Sequence, residues 1–81
     1  MKITFDKSKR LTNMEKHGFN FADLDIEFFA RSIVVPAKDG RSMAIGEFKG
    51  TVIIAVVFRA LGSEAITIIS MRRASRKERS L

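Results

Sequence analysis

Three observations predict an α+β fold for this chain, in which a short N-terminal strand and two helices lead into a four-stranded antiparallel meander and a short C-terminal helix. Helix-capping residues and helical spacing dominate the segment before Ala30. β-Branched runs fill the segment after it. The gaps between those runs are short and carry Pro, Gly or Asp, as antiparallel hairpin connections require.

Ile3 and Phe5 alternate with polar residues, which predicts a short first strand, and Asp6 is placed to cap a helix over Lys7 to Lys16. Leu11 and Met14 supply the apolar face of that helix. Lys16-His17-Gly18 closes it, with cations at the negative end of the helix dipole and Gly at the left-handed stop. Asn20 caps a second predicted helix, in which Phe21, Leu24 and Phe28 form a stripe with Ala22 and Phe29 beside it, while Asp23, Asp25 and Glu27 face water. Strands are predicted at Ile33 to Val35, Ser42 to Ile45, Val52 to Phe58 and Ala65 to Met71, with Pro36, Asp39-Gly40, Lys49-Gly50 and Leu61-Gly62-Ser63 between them. The run from Val52 to Phe58 lacks alternation, so both of its faces are expected to be covered in mid-sheet. A last short helix is expected to start near Ser75.

Residues 1–81 are read as one domain, because a chain of 81 residues has too little apolar surface for two cores. Its hydrophobic fraction, 46%, is that of a folding chain. There is no cysteine and one histidine, so neither a disulfide nor a thiolate or histidine-rich metal site can form, and no cofactor is expected. No apolar run approaches the roughly 20 residues of a membrane span, and the N-terminus has no signal-peptide core. A soluble cytoplasmic protein with no membrane partner is the expectation.

Net charge is +6, and it is unevenly placed. Arg72, Arg73, Arg76, Lys77 and Arg79 oppose only Glu78, so the last ten residues carry +4 and the rest of the chain +2. Together with Lys16, these cations are candidates for tracking an RNA backbone or receiving an acidic protein segment. A solvated helix face accounts for the same pattern.

Read in order, Phe5-Asp6, Lys9, Asn13, Lys16-His17-Gly18 and Phe21 resemble the opening of the BrnT toxins. Arg41 with Ile45-Gly46, then Arg59 at the end of the long apolar strand, are similar to that family's middle, and Ile68-Ile69-Ser70-Met71-Arg72-Arg73-Ala74-Ser75 with Glu78 resembles its closing signature. The resemblance spans essentially the whole chain. It implies a RelE-like fold, metal-independent endoribonuclease activity that inhibits translation, and a type II toxin-antitoxin system. In such a system a BrnA-type ribbon-helix-helix antitoxin neutralises the toxin and carries it to promoter DNA. Two positions depart from the pattern: Thr67 stands where the family usually has Arg, and Phe5 where it has Trp. The first leaves a second reading open, a catalytically disabled module of the same fold that binds antitoxin or RNA without cutting.

Metal-free RNA cleavage needs a base for the 2′-hydroxyl, cations on the phosphate and an acid for the leaving oxygen. Arginine suits the phosphate, since its planar fork stays charged and binds two oxygens at once. A turn centred on Gly62 would pair Arg59 with Ala65, set Thr67 diagonally beyond it, and bring Arg72 near Val52, on the order of 20 Å from Arg59. The turn at Lys49-Gly50 returns Arg41 toward Arg59, and although a one-residue slip in register would put them on opposite faces, Arg41 and Arg59 are the expected phosphate ligands. Histidine is the side-chain type that exchanges protons near neutral pH, which makes His17 the first candidate for acid or base; a helix-closing cation is its simpler explanation. Glu15 and Glu64 are weaker candidates and read as surface charges. Ser70 lacks the His and Asp spacing of a nucleophile. With no Trp or Tyr, and Phe on core positions, a base-stacking platform is not expected.

Overall fold

The computed structural model describes residues 1–81. Five strands form one sheet in the order β1-β5-β4-β3-β2: β1 (Lys2–Phe5), β2 (Ile33–Pro36), β3 (Ser42–Phe48), β4 (Val52–Leu61) and β5 (Ala65–Arg73). The last four make the expected antiparallel meander, and β1 adds to it in parallel, Phe5 opposite Ile68. The three strands of the central hairpins run further than expected, to Phe48, Leu61 and Arg73, the first two because the turns that follow them are tight. Lys49 and Gly50 both take positive φ, 54° and 68°, which lets the chain reverse directly after Phe48.

Helix α1 (Lys7–His17) starts where Asp6 was expected to cap it. The Asp6 carboxylate accepts from the Ser8 and Lys9 amides at 2.8 and 3.2 Å. The Ser8 hydroxyl also donates to it, and these bonds hold the Asp6 carboxyl below its ordinary pKa. Gly18 stops the helix at φ 77°, its amide donating to the Met14 carbonyl. The packed face differs from the expected one: Leu11 and Met14 are exposed, and Asn13 is buried. The reason is the neighbour. Beyond Phe5 the edge of β5 has no strand beside it, and Asn13 supplies the missing partner. Its side-chain amide donates to the Met71 carbonyl at 2.8 Å and its carbonyl accepts from the Met71 amide at 3.1 Å, as a peptide group of an adjacent strand would. The same nitrogen also donates to the Phe19 carbonyl at 3.1 Å.

The second expected helix is two pieces. Asn20 caps only a 3₁₀ turn, Phe21–Asp23, through the Ala22 amide; Leu24 is extended, and Asp25 caps α2 (Ile26–Arg31) through Phe28. An Asx cap at Asp25 competes with helix continuation and wins, since it lets both Phe21 and Phe28 reach the core. That core lies on one face of the sheet, with Phe21, Ile54, Val56, Ile68 and Met71 essentially inaccessible. Gly46 lets α2 settle on β3: a Cβ there would fall 2.6 Å from Ser32 Oγ, which is itself tied to the Phe28 carbonyl.

The second face carries a smaller cluster, Ile45, Ala55 and Ala74, with Val35, Met43 and Ile53 around it. Ile54, Ala55 and Val56 are all fully buried, as the unalternating run predicted for a central strand. Helix α3 (Arg76–Arg79) begins after Ser75, with Ser75 and Glu78 in a reciprocal capping box.

Candidate nucleic-acid interface

The β4-β5 register differs from the expected one. Leu61 pairs with Ala65 across Gly62-Ser63-Glu64, which puts Thr67 directly opposite Arg59, where Ala65 had been expected. A bulge then inserts Ile69, so Val57 faces Ser70 and Arg72 faces Ala55 instead of lying near Val52. Arg59 and Arg72 are therefore four positions apart along the ladder, about 13 Å instead of 20 Å. On the other side Ser42 pairs with Phe58, which carries Arg41 to the Arg59 end of the sheet. Arg59 and Thr67 thus face each other across β4 and β5, and Arg41, the residue before β3, extends the row. Arg59 is exposed and donates to the Asp39 carbonyl at 3.0 Å, pinning the β2-β3 connection. Arg41 is half-buried and its Nε has no acceptor.

His17 is not in that row. It ends α1, which is held against β5 through the bonds of Asn13 to Met71. What His17 joins is a groove of about 270 Å³ between α1 and the bulge of β5, lined by Ser8, Lys9, Thr12, Asn13, Lys16 and His17 from the helix and by Ile69 and Ser70 from the strand. Three of these side chains are basic and none is acidic. The helix residues repeat at three- and four-residue intervals, so one face of α1 presents them all. Sequence reasoning sought an apolar stripe on α1 and passed over Lys9 and Thr12, although Lys9, Asn13 and Lys16 already share that periodicity. Ser70 lines the groove because the bulge displaces Ile69; nothing in the sequence marks a bulge there.

Among the C-terminal cations, Arg72 is committed within the chain. Its two terminal nitrogens donate to the two Glu78 carboxylate oxygens at 2.8 and 2.9 Å, and Nη1 also reaches the Arg73 carbonyl. The Arg72 guanidinium, with the Ser75 amide and hydroxyl, pulls the Glu78 carboxyl down to about 2. A depressed acid stabilises the fold at pH above its unfolded value, near 4.5, and that contribution is lost as pH falls toward 2. Glu78→Gln should therefore lower the melting temperature at neutral pH by the equivalent of about 1–3 kcal/mol, and the gap to the parent should close in acid, as a melting series from pH 7 to about 2 would show. Arg73, Arg76, Lys77 and Arg79 stay exposed.

No three His, Cys, Asp or Glu side chains converge, and no helix is long and apolar enough to cross a membrane. The model of the family described as the ribonuclease toxin BrnT of type II toxin-antitoxin systems matches residues 5–78. The chain belongs to the BrnT family. It is 58% identical to the Brucella abortus ribonuclease toxin BrnT in a crystal structure that superposes with a TM-score of 0.89, over 94% of this chain and 99% of that one. No curated protein matches it. The α+β architecture is that of the solved BrnT structure. Membership of the BrnT family makes the protein a ribonuclease toxin of a type II system, which implies an antitoxin partner. The matched span opens at the Phe5-Asp6 cap and ends at Glu78, the partner of Arg72.

Proposed function

We propose that the protein is a metal-independent endoribonuclease that lays RNA along the α1-β5 groove and is neutralised in the cytoplasm by a BrnA-type ribbon-helix-helix antitoxin. The observation that carries this reading is the groove itself, with Lys9, Lys16 and His17 on one helix face and no carboxylate among its lining residues. Lys9 and Lys16 hold phosphate oxygens. His17, beside Lys16 at the open end of the helix, takes the proton of the 2′-hydroxyl or returns one to the departing 5′-oxygen. The 2′-oxygen bonds to phosphorus, the P–O5′ bond breaks, and a cyclic phosphate and a 5′-hydroxyl result. Arg59 and Arg41 hold a neighbouring phosphate at the far end of the row. Thr67, opposite Arg59, offers a hydroxyl in place of the family's cation, and leaves charge stabilisation to the lysines and these two arginines. That same position favours the second reading, a disabled toxin that binds RNA or antitoxin without cutting.

Replacing both Lys9 and Lys16 by Ser should flatten the dependence of log affinity for single-stranded RNA on log salt by about 1 to 2 units. An unchanged slope would move the RNA off this groove.

A further inference from the structure

We propose that a second cleft, between the start of β4 and α3, binds an acidic, partly apolar segment of a protein partner. The cleft has a volume of about 340 Å³. It is lined by the apolar Val52, Ile53 and Ala74 and by Thr51, Arg73 and Arg79. It shares no residue with the α1-β5 groove and lies at the opposite end of the sheet from Arg41 and Arg59: Val52 pairs with Phe48 and Arg73 with Ile54, whereas Arg59 pairs with Thr67.

Charge sets the sign of the occupant. The chain has two ion pairs, Lys49 with Asp23 and Arg72 with Glu78, and neither uses Arg73 or Arg79. The segment that holds them carries +4. The adjoining Arg72-Glu78 pair shows a carboxylate bound bidentately against the same strand end. Composition of the lining selects protein over RNA. Three of its six residues are apolar, against one of eight in the α1-β5 groove, and a hydrated phosphate backbone does not use them. A peptide that carries both carboxylates and aliphatic groups supplies partners for the arginines and for the apolar residues. The antitoxin implied by the family is a protein that could supply one. The inference rests on family membership for that partner and not on where RNA is cut.

The test uses the isotope-labelled full chain, a short synthetic peptide rich in Glu and Leu, and a single-stranded RNA of comparable length, each titrated separately by NMR. The peptide is expected to shift the Val52, Ile53 and Ala74 amides. The double variant Arg73→Ser/Arg79→Ser should weaken the peptide at least about tenfold, and should weaken RNA by a smaller factor. Both side chains are exposed, and the amide spectrum of the variant, with Arg79→Ser alone as the milder change, reports whether the fold is kept. The proposal is overturned if the peptide leaves those amides unmoved, if a Lys-for-Glu peptide binds as well, or if the variant loses RNA and keeps the peptide. The salt slope of the Lys9 and Lys16 variant is a separate readout, so this cleft and the RNA groove can fail independently.

Discussion

Asn13→Ala is expected to be the most destabilising single change among the groove residues, lowering stability by about 2–4 kcal/mol and the melting temperature by roughly 10–20 °C. Asn13 is the one buried polar residue, 6% exposed, and it satisfies three backbone groups: the amide and carbonyl of Met71 and the carbonyl of Phe19. Alanine leaves the Met71 groups without partners beside a fully buried side chain, at about 1–3 kcal/mol for each stranded group. It also frees α1 from β5, so cleavage should fall with it. Leu11→Ala, on the exposed face of the same helix, is the control and should stay within about 1 kcal/mol of the parent. Thermal melts of the two variants decide the matter. Equal melting temperatures would mean that α1 is held by something other than this amide.

His17→Ala should leave the fold nearly intact and cut RNA cleavage by about a hundredfold or more. The side chain is exposed at the last residue of α1, ahead of a Gly18 cap that its loss does not touch, so its structural worth is that of a helix-end cation, about 0.3–1 kcal/mol. A proton-transfer group contributes far more to the reaction than that. Single-turnover rates at saturating protein isolate the chemical step from RNA binding. If the rate is kept and only the melting temperature moves, His17 is a helix-closing residue and the groove lacks its acid or base.

Much of the fold was legible because its punctuation is local. Asp6, Gly18, Ser75 and the Lys49-Gly50 turn act through bonds to residues within a few positions, so the sequence shows them directly. What was not legible depends on pairing across the chain. Asn13 looks like a polar residue on a helix surface until β5 is found to lack a strand beside Met71. The 3₁₀ turn and Asp25 cap replaced one expected helix, because two Phe side chains had to reach the same core from a short segment. The Arg59 row was approximately legible from hairpin arithmetic. The turn is centred on Ser63 instead of Gly62, and that one-residue shift sets Thr67 directly opposite Arg59. The bulge at Ile69 then moves Arg72 by a further position, and Arg72 turns out to hold α3 through Glu78.

The most direct test of the account is cleavage of single-stranded RNA by the purified protein in excess EDTA, followed by the ends of the products. Cleavage at a rate unaffected by the chelator, leaving cyclic phosphate and 5′-hydroxyl ends, is the predicted result. Cleavage that appears only when magnesium or manganese is restored, or RNA that is bound and never cut, would contradict it.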